Sequence, residues 1–392
     1  MIFTWFVIIY FFCNLWYNYI KGKGETVGNI LTYVQTNLNT FDIEPFNEID
    51  SLVLSQLSYI KLNKLKGLFG ARGNIKVPLR KLLMLEHMHD YFNIVSEKDD
   101  KQLLFLLAAS PRFRDIKLAY HVDKFDELSE KQFSATTIFL DRKTIYIAYR
   151  GTDTTFIGWK EDFNMSFMGC VPAQQEARIY LNSVHKKHPY AKFYIGGHSK
   201  GGNLALYSAV NADSSLQDKI LNIYSHDGPG FLEDITKSSR YANISNKVKK
   251  TVPHSSIIGM LMQTHDNISI VDSEGLLLMQ HNPYNWKIDN SNFVTVAELS
   301  ETAQLTNRTI EQWLNSMDFN KREKFITALF DILEQVQVNT LDDFASNWKT
   351  ELKNIYVATK NMDADTKKFL NEVIRNFTTT GVKMLFTFDN MK

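Results

Sequence analysis

The residues best suited to covalent chemistry are those at positions 197–201, which read G-H-S-K-G. The apolar and aromatic residues 192–195 before them predict a buried strand, and residues 204–210 after them predict a helix. A serine on such a sharp strand-to-helix turn projects its hydroxyl out of the sheet, and the flanking glycines admit the tight backbone. Ser199 is therefore a candidate nucleophile for acyl transfer, and the alternative is a glycine-rich turn with an incidental serine.

A serine hydroxyl needs a base to take its proton. In the chain order of α/β hydrolases the acid and then the histidine follow the serine. The histidines downstream are His226, His254, His265 and His281. His281 follows the last predicted strand and opens a loop with the turn residues Asn282 and Pro283. We favour it as the base, against the alternative of a packed structural histidine.

Three aspartates are candidates for the acid that orients this histidine. Asp227 follows a predicted strand over residues 221–225, at the strand end where ligands bind in parallel sheets. It is also a good turn former before the sequence Gly228-Pro229-Gly230. We favour Asp227 and keep Asp266 and Asp272 as the alternatives.

Acyl transfer also needs donors for the oxyanion that develops on the substrate. The backbone N–H of Lys200, directly after the serine, is one candidate. Thr152, just after a predicted strand over residues 144–149, can supply a second through its amide and its hydroxyl. Nearby residues expected to pack and cap around this loop are Trp159, Glu161 and Asp162.

Strands alternate with helices through the middle of the chain, which predicts an α/β fold with a mostly parallel sheet. The predicted strands are residues 117–122, 133–140, 144–149, 192–195 and 221–225, with weaker signals at 247–252, 268–271 and 276–279. A short polar connection at 141–143 predicts a hairpin between the second and third. Helices are predicted near residues 49–60, 103–107 and 172–188.

From about residue 296 the apolar pattern is helical only, with three apolar faces in succession. Asn320 and Glu323 resemble a capping box at the start of the helix that bears the first face. We therefore predict three parts: a hydrophobic segment over 1–26, a hydrolase domain over 27–295 that begins with helices, and a helical C-terminal region over 296–392 packed on or beside it.

Composition narrows the function further. The 392 residues carry a net charge of +1 and no long basic block, so nothing predicts nucleic-acid binding. The two cysteines, Cys13 and Cys170, lack the spacing of a disulfide framework or a zinc site. Acyl transfer through a serine requires no metal or organic cofactor.

Residues 1–20 contain no charged side chain and are rich in apolar residues. As a helix they would be about 30 Å long, enough for the hydrocarbon core of a bilayer. Lys21 and Lys23 follow, which favours a cytoplasmic body if the segment spans a membrane. The alternatives are a buried terminal helix and an extension from an upstream start codon.

These motifs resemble the class 3 lipase branch of the α/β hydrolases. The shared residues are Arg150-Gly151-Thr152, then Trp159 and Asp162, then the G-H-S-x-G of residues 197–201. The run G-H-S-K-G-G-N at 197–203 is similar to that of a bacterial family of uncharacterised lipase-like proteins, a resemblance that extends from Val27 to the C-terminus. It implies the α/β-hydrolase fold.

One departure concerns the acid. Class 3 lipases place it in a D-x-V-P motif, where this chain has Lys250-Thr251-Val252-Pro253. Either the acid lies on another strand, which strengthens Asp227, or the triad is incomplete.

We therefore expect a cytoplasmic serine hydrolase that cleaves a small or lipid carboxylic ester through an acyl-enzyme. The alternatives are a hydrolase fold used for binding or scaffolding, and a membrane-associated enzyme held by residues 1–20 that acts on lipid.

Overall fold

An eight-stranded sheet forms the centre of the protein in the computed structural model, which describes residues 27–84, 91–92, 96–153, 155–232, 235–262, 268–275, 277–335 and 348–389. Its strands are β1 Val77–Pro78, β2 Lys117–Asp126, β3 Lys131–Phe139, β4 Thr144–Tyr149, β5 Lys192–His198, β6 Ile220–His226, β7 Val248–Pro253 and β8 Ile268–Val271. A separate small hairpin consists of β9 Ile288–Asp289 and β10 Asn292–Phe293.

Each strand of the large sheet lies beside its neighbour in sequence. The first four strands pair antiparallel, and β4 to β8 pair parallel. The predicted hairpin at 141–143 and the mostly parallel sheet are confirmed. Because β4, β5 and β6 run parallel, the loops at residues 150, 199 and 227 leave the sheet at one edge.

The helices are α1 Ile30–Thr36, α2 Glu48–Leu57, α3 Glu97–Ala109, α4 Phe156–Asn164, α5 Pro172–Lys187, α6 Lys200–Val210, α7 Ser214–Gln217, α8 Ser239–Ala242, α9 Glu301–Asn315, α10 Phe319–Gln335, α11 Trp348–Asn361 and α12 Ala364–Asp389. Within the described residues we find none whose length and apolar character would let it cross a bilayer. Residues 1–26, with the predicted hydrophobic segment, lie outside the described residues.

The two faces of the sheet bury two different cores. Side chains alternate along β4, so that Tyr146 and Ala148 pack toward α2 and α3 while Ile147 and Tyr149 pack toward α5 and α6. The N-terminal helices thus cover one face, and the helices that flank β5 cover the other. Residues of β4 and β6, which precede Thr152 and Asp227, pack into both cores.

Two local predictions are wrong. Residues 277–279 were expected in a strand, but Leu277–His281 is a 3₁₀ helix. Gln280 donates its side-chain amide to the carbonyls of Ser273 and Gly275, which holds the segment as a turn. The predicted cap of α10 is also displaced, because the helix already starts at Phe319 and Asp318 accepts from the Lys321 N–H at 2.8 Å.

The C-terminal helices pack against one another and against α4. The Trp313 indole of α9 donates to the Val373 carbonyl of α12 at 3.2 Å. Phe163 of α4 meets Phe330 of α10 with ring centroids 5.9 Å apart. The division of the chain into three parts stays a prediction, but this contact joins the C-terminal helices to the helix that follows the Thr152 loop.

Candidate functional site

Ser199 sits on a strained turn between β5 and α6. Its φ of 58° and ψ of −134° lie in a region that side chains other than glycine rarely adopt. Its N–H donates to the His226 carbonyl at 2.9 Å, which ties the turn to β6. A Cβ on Gly197 would collide with the Gly201 backbone, and one on Gly201 with the Tyr149 carbonyl. The glycines are therefore required by close backbone packing, as expected of a nucleophile elbow.

Asp227 and His281 form a short hydrogen bond at the same edge of the sheet. Asp227 follows β6 with a φ of 49°, and its side chain is buried. Its Oδ2 lies 2.6 Å from His281 Nδ1. Its Oδ1 accepts from the Ser256 hydroxyl at 2.5 Å and from the Gly259 N–H at 3.1 Å. Every oxygen of this carboxylate is thus held by a donor, and the ring of His281 is held by the carboxylate.

His198 fixes the backbone of His281 beside Ser199. A carbonyl oxygen only accepts, so His198 donates its Nε2–H to the His281 carbonyl at 2.8 Å. Its Nδ1 then accepts from the Tyr59 hydroxyl at 3.1 Å. Burial, together with nearby His281, keeps the pKa of His198 well below its usual range, so the ring is neutral. The two histidine rings lie 4.5 Å apart, centroid to centroid.

The other candidates for base and acid lie elsewhere. His226 is fully buried against α2, where its Nε2 pairs with Ser51 Oγ at 3.0 Å and burial lowers its pKa to about 3. Asp272 pairs with Lys287 at 2.8 Å and lies 3.7 Å from His254. His265 and Asp266 lie outside the described residues. Among the described residues, no hydrogen bond joins the Ser199 hydroxyl to the His281 ring.

The Thr152 loop passes directly over Ser199. A Cβ built on Gly151 would lie 3.1 Å from the Cβ of Ser199. The Thr152 hydroxyl donates to Asp162 Oδ2 at 2.5 Å, so its proton is already used. Burial raises the pKa of Asp162 to about 6, against the opposing effect of the Lys200 ammonium. The backbone amides of Thr152 and Lys200 therefore stay the candidate donors for an oxyanion.

The Lys200 side chain forms a buried ion pair that the sequence did not reveal. Its Nζ lies 2.9 Å from Glu161 Oε2 and donates to the Gln132 carbonyl at 3.1 Å. The Lys200 and Glu161 side chains are only 1% and 0% exposed. Burial alone would lower the pKa of Lys200, but Glu161 and then Asp162 outweigh it and the pKa is raised. The only local signal for this pair was a charged residue directly after the candidate serine.

Glu161 also caps backbone N–H groups near the Thr152 loop, as the sequence predicts. It accepts from the Ala173 N–H at the start of α5 at 2.9 Å and from the Gln132 N–H at 3.1 Å. These bonds join α4, α5 and β3. The ion pair therefore connects the serine turn to the helix that carries Asp162.

Lys250 occupies the position where class 3 lipases have their acid. It is buried in β7, and burial lowers its pKa to about 7 while Asp227 opposes that shift. A lysine thus lies where the class 3 lipase motif has an aspartate. The carboxylate beside His281 comes from the neighbouring strand β6 instead.

Solved structures with a similar fold are lipases. A deletion mutant of the Rhizomucor miehei lipase propeptide complex is 16% identical, with a TM-score of 0.35 over 71% of this chain and 72% of that one. Lip2 lipase from Yarrowia lipolytica is 12% identical, with a TM-score of 0.31 over 46% and 82% of the two chains.

A third similar structure is a triacylglycerol lipase whose catalytic centre is described as a serine protease triad. It is 18% identical, with a TM-score of 0.32 over 57% of this chain and 76% of that one. The strand order confirms the expected α/β fold with a mostly parallel sheet. The identities and TM-scores are low, so nothing about the activity of this chain follows from them.

None of the curated proteins matches the chain. The resemblance to an uncharacterised bacterial family stays a prediction. Residues 107–331, more than half of the 392, match the model of the Mbeg1-like family. That match includes Ser199, Asp227 and His281, and the chain therefore belongs to the Mbeg1-like family.

Proposed function

We propose that this protein is a serine hydrolase that cleaves carboxylic esters through an acyl-enzyme intermediate. The observation that supports it most is the 2.6 Å bond between His281 Nδ1 and Asp227 Oδ2, at the same edge of the sheet as Ser199 on its strained turn. Of the candidate aspartates that the structure describes, this is the one in contact with the favoured base. It supports an acid displaced to β6 over an incomplete triad.

In this mechanism Ser199 Oγ attacks the ester carbonyl and His281 Nε2 takes the hydroxyl proton. Asp227 accepts from Nδ1, which fixes the tautomer and stabilises the imidazolium. The amides of Thr152 and Lys200 donate to the oxyanion. His281 then protonates the leaving alkoxide, and a water activated by the same ring hydrolyses the acyl-enzyme. A hydrogen bond from the Ser199 hydroxyl to His281 Nε2 is expected to form when substrate binds, because catalytic contacts are often long or poorly aligned without it.

The test is labelling of the purified full chain by a fluorophosphonate probe, together with hydrolysis of short and medium p-nitrophenyl esters. We expect Ser199→Ala and His281→Gln each to lose both signals, with a fall in kcat of about 10⁴-fold or more. His254→Gln is the matched control, because His254 lies near the same edge without touching Asp227. Full labelling of Ser199→Ala, or none of the wild type, would overturn the proposal; absence of labelling would favour a binding or scaffolding role.

A second candidate function, a cytoplasmic enzyme held at a membrane and acting on acyl lipids, is favoured by one further contact. The side-chain amide of Asn29 donates to the Tyr284 carbonyl at 2.8 Å, three residues beyond His281. Residues 1–20, which carry no charged side chain, therefore come shortly before Asn29, and Asn29 contacts the loop that follows the proposed base. Cell fractionation of the full chain against one that starts at Val27 tests this: a protein that stays soluble in both forms contradicts it.

A further inference from the structure

Helix α9 of the C-terminal region contacts the loop that holds Asp227. The Ser300 N–H, at the start of this helix, donates to the His254 carbonyl at 2.7 Å. Two turns further along the helix, the Asn307 side-chain amide donates to the Ser256 carbonyl at 3.0 Å. Ser256 in turn donates its hydroxyl to Asp227. A continuous path of hydrogen bonds therefore runs from α9 to the carboxylate beside His281.

We propose that Ser256 and Asn307 are positioning residues for the Asp227–His281 pair, which makes the C-terminal helices part of the catalytic site. This inference rests on the proposed hydrolase function. The Asp227 carboxylate can rotate about its Cβ–Cγ bond. Its Oδ2 contacts His281 in only one of these orientations. The Ser256 hydroxyl and the Gly259 N–H fix that rotation by holding Oδ1.

The surroundings of Asp227 make this support necessary. The positive φ of Asp227 is a backbone conformation that residues other than glycine rarely adopt. The loop approaches so closely that a Cβ on Gly259 would collide with Oδ1. Ser256 is 2% exposed, so water does not replace its hydroxyl. Without that donor Oδ1 would keep only the Gly259 N–H, and the carboxylate would be less firmly held toward His281.

The same two segments share a second contact that does not reach Asp227. The Ser255 and Ser300 hydroxyls lie 2.9 Å apart, and Ser255 is buried to a similar degree as Ser256. Ser255→Ala therefore removes one contact between α9 and the loop but leaves the carboxylate untouched. It separates a specific path through Ser256 from general docking of the helix.

The experiment compares kcat and KM for p-nitrophenyl esters in full-length variants. Ser256→Ala should lower kcat about tenfold to a hundredfold with little change in KM, since a hydrogen bond to a charged group is lost. Ser256→Thr, which keeps the hydroxyl, should restore most of it. Asn307→Leu should lower kcat less, and the double variant should be no slower than Ser256→Ala alone. An equal loss in Ser255→Ala, or multiplied losses in the double variant, would overturn the inference.

A second readout does not depend on turnover. The Nδ1 proton of His281, bonded to a carboxylate, should give a downfield proton resonance in the full chain. We expect Ser256→Ala to shift or broaden this signal and Ser255→Ala to leave it unchanged, with circular dichroism showing that both variants fold. An unchanged signal in Ser256→Ala refutes the positioning role. A wild type without esterase activity refutes the proposed function instead, so the two failures are distinguishable.

Discussion

The two sides of Ser199 hold their charges in different ways. On the side of the proposed acid and base, here the acid–base side, Asp227 is a single carboxylate fixed by neutral donors, the Ser256 hydroxyl and the Gly259 N–H, and it faces His281. On the side of the proposed oxyanion donors, here the oxyanion side, Lys200 pairs with Glu161 and lies 3.7 Å from Asp162. The first arrangement leaves the negative charge free to act on an imidazolium. The second pairs the Lys200 ammonium with the Glu161 carboxylate and so stabilises the backbone around the serine turn.

This difference predicts where mutations reduce catalysis and where they reduce stability. Neutralising the carboxylate of the acid–base side should affect turnover, because that charge fixes the tautomer of His281 and stabilises its protonated form. Breaking the ion pair of the oxyanion side should affect folding, because a buried charge is then left without a partner.

The largest expected effect is that of Asp227→Asn. An amide in place of the carboxylate favours the wrong tautomer of His281 and should lower kcat/KM by about 10⁴-fold. Asp272→Asn is the matched control, since that carboxylate faces Lys287 and lies near His254 instead. Steady-state ester hydrolysis measures both. If Asp272→Asn were the more damaging change, the acid would have been assigned to the wrong strand.

An intermediate effect is expected from Lys200→Met. It leaves the buried Glu161 carboxylate without its cation and should cost about 3–5 kcal/mol in the free energy of unfolding. The double variant Lys200→Met/Glu161→Gln removes both charges and should recover part of that loss. Urea denaturation followed by circular dichroism gives both values. Equal stability of the single variant and the wild type would contradict the view that this side is held by charge.

The smallest effect is a pH dependence due to Lys250 on the acid–base side. Its pKa is about 7 in the folded protein against 10.5 ordinarily, so the folded state binds fewer protons between these values. Stability should therefore rise with pH across this window, by up to about 1.4 kcal/mol per pH unit. Lys250→Met should remove that slope in urea titrations at pH 7, 8 and 9. Lys249→Met, at the exposed neighbouring position, should retain it.

The strands and the serine turn could be predicted from the sequence because their signals are local. Residues 144–149 match β4, and the alternation of side chains explains why. Residues 277–279 were misassigned, because a short apolar run fits a strand or a turn equally well. In that case the hydrogen bonds of the Gln280 side chain to Ser273 and Gly275 decided the structure, and the apolar pattern does not show them.

The donors that hold the site could not be predicted in this way. Asn307 and Ser256 are 51 positions apart, and Lys200 and Glu161 are 39 apart. Hydrogen bonds between such distant segments leave no periodic pattern in either one. Asp227 was identified because it follows a strand, whereas nothing local marked Ser256 as its donor.

The Lys200–Glu161 pair also has an evolutionary consequence. A change at either position alone leaves a buried charge uncompensated, so single-step replacement passes through a destabilised intermediate. Among relatives, the residue after the nucleophile and the residue before Asp162 should therefore change together. A lineage that has an apolar residue in place of Lys200 should also have lost the carboxylate of Glu161, and the two positions together should mark the branches of the family.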